Sequence, residues 1–157
     1  MQARSRRLAA SLGAGVCLLG LTGCQKPTPI VSLYSGGSTI HDASFSYCFP
    51  GQDPAKEQGA EGACRFDADR APTRLEVKPG DPVLVDVDKD LADAGWVVAL
   101  MPEGGQRQTL AVMDGHTGTF QPDFNQGARQ FVEVRKLESP RTDARVLGLW
   151  LFEIVPR

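Results

Sequence analysis

From residue 30 onward, apolar and polar positions mostly alternate. Arg74-Leu75-Glu76-Val77-Lys78 places Leu75 and Val77 on one face and charge on the other, the period-two pattern of a half-buried strand. Val83, Val85 and Val87 repeat it with Asp86 and Asp88 opposite, and Phe131 to Arg135 repeats it again. Shorter runs at 30–34, 44–49, 108–113 and 117–120 also read as strands. Gly36-Gly37, Pro79-Gly80-Asp81, Glu103-Gly104-Gly105 and Asp114-Gly115 separate these elements with turn chemistry. One run is continuously apolar, at 95–101, and 146–155 is the most apolar segment of the mature chain. Both are short enough for buried strands, and the second is expected to be central and covered on both faces. One helical turn is expected over 88–94, with Asp88 as its N-cap. With strands every 8–12 residues or so and no long helical period, the chain reads as all-β. The expected fold is an antiparallel immunoglobulin-like β-sandwich of about seven to nine strands. The Gly- and Pro-rich stretch between Cys48 and Cys64 fits no strand pattern and is expected to be a loop.

Residues 1–23 obey a different rule. Arg4, Arg6 and Arg7 carry positive charge with no acid nearby, and 8–21 is apolar or small. That run is shorter than the roughly 20 residues a membrane span needs, and suits the apolar region of an export signal. It ends in Leu21-Thr22-Gly23-Cys24, which resembles the bacterial lipobox: an apolar residue, two small residues, then cysteine. In precursors of that kind the cysteine thiol takes up diacylglycerol and the signal is cut just before it. The resemblance implies residues 1–23 as a lipoprotein signal peptide and Cys24 as the lipidated first residue of the mature chain. Residues 24–30 then form a short tether stiffened by Pro27 and Pro29, and 31–157 form the sandwich domain. The implied location is the cell membrane, lipid-anchored on the extracytoplasmic face.

Charge and cysteine usage narrow the partners. The chain holds 17 basic and 19 acidic side chains. Without residues 1–23, which contain three arginines and no acid, 14 and 19 remain, a net −5. Such a chain lacks the basic excess of a general nucleic-acid binder, and should reach the membrane through its lipid rather than its surface. Of four cysteines, Cys17 lies in the signal and Cys24 carries the lipid. Cys48 and Cys64 remain, an even pair in an oxidising compartment, and are expected to form a disulfide. A metal site on both thiols is the rival reading, but it lacks Cys-x-x-Cys spacing and nearby histidines.

The cysteine pair, then Leu75-x-Val77-x-Pro79-Gly80-Asp81-x-Val83, then Asp90-Leu91-Ala92-Asp93-Ala94-Gly95-Trp96-x-Val98, resembles a family of uncharacterised actinobacterial lipoproteins built on a single domain of unknown function. The resemblance covers nearly the whole mature chain. It implies location and fold and brings no known activity.

Chemistry-bearing residues are few. Ser35, Ser38, His41, Asp42, Asp114 and His116 supply the types of a serine triad, but none sits in a Gly-x-Ser-x-Gly elbow. Met113 and His116 are copper-type ligands, although no free cysteine is left for a blue-copper set, and a turn histidine is the better reading. Glu57, Glu61, Asp67 and Asp69 match no calcium loop and stand among Lys56, Arg65 and Arg70, as in a solvated charged loop. Trp96 and Trp150 are candidates for stacking on a glycan, yet lie in apolar runs that point to the core. No catalytic residue, metal ligand or cofactor is therefore assigned. The expected function is that of a non-catalytic binding or scaffolding module, acting on an envelope protein or cell-wall component. The loop 49–63 is its expected contact. A small-ligand, glycan or metal-binding lipoprotein is the alternative.

Overall fold

The structure, a computed structural model, describes residues 27–49, 64–67, 69–126, 128–141 and 144–157. The expected signal peptide, Cys24 and most of the loop after Phe49 lie outside the described residues. Eleven strands are present among those described. They are β1 (Ile30–Ser35), β2 (Ser38–Ala43), β3 (Ser46–Cys48), β4 (Cys64–Phe66), β5 (Thr73–Val77), β6 (Val83–Val87), β7 (Trp96–Pro102), β8 (Gln108–Met113), β9 (Thr117–Phe120), β10 (Gln130–Leu137) and β11 (Val146–Pro156). One short helix, α1 (Lys89–Ala94), links β6 to β7, and a 3-10 turn, Phe124–Gln126, precedes β10. Four strands form one sheet in the order β2-β1-β6-β9. The other seven form the second, β4-β3-β11-β10-β7-β8 with β5 added against β11. The architecture is the expected mostly antiparallel, sandwich-like all-β fold.

The strand count exceeds the expected seven to nine because two strands lack an apolar signature. β2 reads Ser-Thr-Ile-His-Asp-Ala, and β4 has three residues. What makes β2 a strand is its turn. Gly36 and Gly37 have φ of 53° and 83°, so both central residues of the two-residue hairpin sit in the left-handed region. That is the type I′ geometry whose twist matches paired strands, and glycine adopts it without a Cβ clash.

The sheets face each other across one core. Val31 and Leu33 of β1 and Val83, Val85 and Val87 of β6 meet Trp96, Val98, Val132, Val134, Trp150, Phe152 and Ile154 of the larger sheet. Trp96 and Trp150 are fully buried, as their apolar runs imply. Each indole N–H finds a backbone acceptor: Trp96 Nε1 donates to the Gly115 carbonyl at 2.7 Å, and Trp150 Nε1 to the Pro29 carbonyl at 3.1 Å. A buried tryptophan needs such a partner because an unsatisfied donor costs about 1–3 kcal/mol. Thr28 and Pro29 are buried with it, so the folded domain takes in the last residues of the expected tether.

β11 is central, but only one of its faces is fully covered. Gly148, Trp150, Phe152 and Ile154 point into the core, while Leu147, Leu149, Leu151 and Val155 on the opposite face are half-buried. The expectation of cover on both faces is corrected to this extent. The strand's length instead serves a divided edge. β3 pairs antiparallel with Gly148 and Leu149, and β5 pairs parallel with Phe152 to Pro156. This parallel ladder departs from a purely antiparallel sandwich.

Cys48 and Cys64 are bonded and directly paired across β3 and β4, with Cα atoms 4.3 Å apart. Their separation of 16 residues makes the closed loop worth about 3 kcal/mol on the chain-entropy account. Asp88 takes the N-cap position of α1 as expected, yet its side chain makes no cap bond. Its Oδ2 accepts instead from the Ile30 N–H at 2.8 Å, tying the start of β1 to the helix.

Candidate functional site

Strand polarity divides the sandwich into two ends. β1, β7, β9 and β11 start where β2, β6, β8 and β10 finish. The start of β1, α1, the turn at 114–116 and the end of β10 therefore share one end, and the register of β3 with β11 sends Cys48 toward it. The opposite end carries the Gly36-Gly37 hairpin, the 78–82 turn, the 103–107 turn, the segment 121–129 and the C-terminus. Three shallow hollows lie at this second end. One of about 430 Å³ is lined by Pro79, Gly80, Gln121, Pro122 and Phe124 among others. One of about 350 Å³ includes Glu76, Lys78, Asp81 and Arg157. The third, about 360 Å³, spreads onto the outer face of the four-stranded sheet around Tyr34, Leu84, Ser38, Thr39 and Thr119.

The residues considered for catalysis are scattered by the pleat. His41 and Asp42 are neighbours in β2 and therefore point to opposite faces. His41 is exposed in a cross-strand row, His41–Ser32–Asp86–Thr117. The serine sits between the histidine and the acid, which is the wrong order for an acid to orient a histidine toward a serine. Ser35 is buried and donates to the Pro82 carbonyl at 2.9 Å. His116 lies in its turn with Nδ1 3.2 Å from the Val87 carbonyl, whereas Met113 packs on the core. Asp114 is exposed in the same turn. Of the acidic group, Asp67 is half-buried and Asp69 exposed, while Glu57 and Glu61 fall outside the described residues. No group of three or more metal-type ligands occurs among the described residues.

Three polar clusters stand out instead. Asp42 points inward from an edge strand and is 4% exposed. It accepts from Thr73 Oγ1 at 2.6 Å and forms an ion pair with Arg70, whose guanidinium also reaches the Ala43 carbonyl at 3.3 Å. The cluster ties β2 of one sheet to β5 of the other, and a charge turned inward on an edge discourages strand addition there. Lys136 is buried beside Tyr47; its Nζ donates to the tyrosine hydroxyl at 2.9 Å and lies 5.0 Å from the ring centroid. The contact is a hydrogen bond joined to a cation–π interaction.

The third cluster covers the outer face of the seven-stranded sheet. Register places Val112, Val97, Arg135 and Leu149 in one row, Thr109, Ala99, Glu133 and Leu151 in the next, and Met101, Phe131, Glu153 and Arg74 in a third. Glu133 is 5% exposed and Glu153 8% exposed. Arg107 Nη2 donates to Glu133 Oε1 at 2.9 Å, and Arg135 pairs with the other carboxylate oxygen. Arg74 grips Glu153 through Nε and Nη2 at 3.1 and 3.3 Å, and Arg129 Nε adds a contact at 2.7 Å. Each buried carboxylate is thus held between two arginines, which leaves one positive charge in excess at each. Nothing in the linear order of residues groups these six side chains. The only trace of the arrangement in the sequence is charge at outward positions of otherwise apolar strands, above all Glu153 within Leu-Trp-Leu-Phe-Glu-Ile-Val.

No curated protein and no solved structure matches the chain. A family model described as a protein of unknown function (DUF2771) matches residues 24–155, and the chain belongs to that family.

Proposed function

We propose that the chain is an exported lipoprotein of the actinobacterial kind, held on the extracytoplasmic face of the cell membrane by lipid on Cys24, and that its domain is a non-catalytic binding module of the envelope. The observation that carries the reading is the N-terminal order of residues: three arginines, an apolar run, then Leu21-Thr22-Gly23-Cys24. The fold begins immediately afterwards, with Thr28 and Pro29 already buried. Only Gln25, Lys26 and Pro27 then separate the lipid from the domain, about 10 Å when extended. Two acyl chains on one cysteine supply the stable attachment that a single chain does not.

The binding-module part is supported by what the polar clusters do. The buried ionisable side chains described above are engaged in ion pairs and hydrogen bonds. His41 neighbours Ser32 across β1 and β2 with Asp86 on the far side of the serine, and His116 faces the Val87 carbonyl in its turn.

The test is metabolic labelling with a fatty-acid probe, followed by membrane fractionation. The native chain should take up label and sediment with membranes, and Cys24→Ser should take up none and accumulate uncleaved. Normal cleavage and unchanged membrane partition of Cys24→Ser would overturn the anchor.

A further inference from the structure

We propose that the outer face of the seven-stranded sheet docks a partner protein that presents carboxylates. The proposal rests on the binding-module reading and names its surface and the chemistry of its partner.

Composition is the first ground. Arg74, Arg107, Arg129 and Arg135 surround Glu133 and Glu153, an excess of two positive charges in this cluster on a chain whose overall charge is −2, and the outward charges that follow on β5 and its turn, Glu76 and Lys78, offset each other. The patch therefore opposes the sign of the molecule that carries it, and attracts an acidic surface where the rest of the domain does not. All four cations are arginine. Each guanidinium has five N–H donors in a fixed fork and commits only one or two to glutamate here, and Arg74, Arg107 and Arg129 are about half exposed, which leaves donors for a second carboxylate.

The second ground is what lies between the charges. Phe131, Leu149, Leu151 and Met101 are half-buried on the same face. A surface of aromatic, methionine and aliphatic side chains interleaved with arginine has the composition of a protein interface. An anionic polymer or lipid headgroup alone has no use for the apolar part.

The third ground is order. Glu133 and Glu153 are more than nine-tenths buried, and each fixes two guanidiniums at the sheet surface. Side chains held in place before contact lose less freedom on binding. The two carboxylates occupy diagonal cross-strand positions, since Glu133 pairs with Leu151 and Phe131 with Glu153. They are therefore roughly 7 Å apart at the backbone, and one acidic segment spans both. The face is modest. Four neighbouring strands at about 4.8 Å spacing and eight residues of β10 at about 3.3 Å give roughly 400–500 Å². That lies below the ordinary half-interface of about 800 Å², so the partner is a transient one.

The experiment places a photo-crosslinking amino acid at Leu151, between the two glutamates, in the full chain within its native membranes. The expected result is a protein adduct whose linked peptide contains Asp or Glu and whose yield falls when poly-L-glutamate, but not poly-L-lysine, is added. The yield should also fall at least tenfold in Arg107→Gln/Arg129→Gln, which leaves Glu133 with Arg135 and Glu153 with Arg74. Lys89→Gln, on α1 at the opposite end of the sandwich, should leave the yield unchanged. Adducts with lipid alone, adducts within the chain itself, or a protein adduct indifferent to the double variant would each overturn the proposal. Circular dichroism of the double variant shows that the fold persists. Membrane sedimentation of the same sample reads the anchor separately, so the docking face and the lipid anchor fail independently.

Discussion

The two outer faces of the sandwich are built on the same strand period and reach opposite solutions. On the four-stranded sheet, the outward residues of β1, β2, β6 and β9 are Ser32, Tyr34, Thr39, His41, Leu84, Asp86, Thr117 and Thr119. Most of these side chains carry hydroxyls that water satisfies one by one, and Leu84 is the exposed large apolar residue among them. On the seven-stranded sheet the outward residues are largely aliphatic or aromatic with charge set among them, and its two buried carboxylates are paired with arginines. A surface rich in Leu and Phe cannot be left bare, and long arginine stems cover it while their heads stay wet. The carboxylates then become necessary, because four guanidiniums over low-dielectric surface repel one another unless neutralised. The contrast teaches that alternation alone does not say whether the outward face of a strand is a solvated exterior or an organised surface. The identity of the outward residues does.

Three measurements sharpen that contrast, and the largest effect concerns what both faces share. Trp150→Ala removes a fully buried ring from between the sheets and should cost about 3–5 kcal/mol, read as a drop in the denaturation midpoint with an unchanged slope. If the cost is below about 1 kcal/mol, the two sheets do not depend on a common core.

The next effect compares neighbours in one strand that point to the two sides. Asp42→Ala breaks the tie between sheets and leaves Arg70, which is 31% exposed, without its carboxylate. Partial exposure of Arg70 brings the expected cost below the range for a fully buried pair, to about 2 kcal/mol. His41→Ala, on the solvated side of β2, should stay within about 0.5 kcal/mol. Equal costs for the two would remove the distinction between the sides of this edge strand.

The smallest effect sets the two outer faces directly against each other. Glu153→Ala leaves Arg74 and Arg129 facing each other, both about half exposed. About 1 kcal/mol of destabilisation is expected, diminishing in high salt. Asp86→Ala on the other face should have no measurable effect and no salt dependence. Thermal melts at low and high ionic strength read both. A salt-insensitive Glu153→Ala would show that the carboxylate contributes packing rather than charge.

Much of the fold was legible because it follows from local rules. Period-two alternation marked β5, β6 and β10, and the strongly apolar runs marked β7 and β11. The even cysteine pair predicted its bond, and Trp96 and Trp150 were read as core from their neighbours. β2 was not legible, since it has little apolar character, and its partner is supplied by the Gly36-Gly37 turn and the ladder to β1. β4 is likewise short, and is held by β3 and the disulfide rather than by propensity. Of the candidate site, the individual charges were visible and their grouping was not. Glu153 reaches Arg74 across 79 positions and Glu133 reaches Arg107 across 26.

The chain by itself determined which segments extend, where they turn, which side of most strands is apolar and which two thiols are left to pair. Each of these depends on backbone geometry and on residues within a few positions of one another. The tertiary structure alone decided that β11 divides one edge between β3 and β5, that the Asp88 carboxylate holds β1 rather than capping α1, and that four arginines converge on two glutamates. Those outcomes depend on which distant groups meet at a low-dielectric surface. No local rule ranks them, because many pairings share the same residue types and only packing of the whole sandwich brings one set within hydrogen-bond reach.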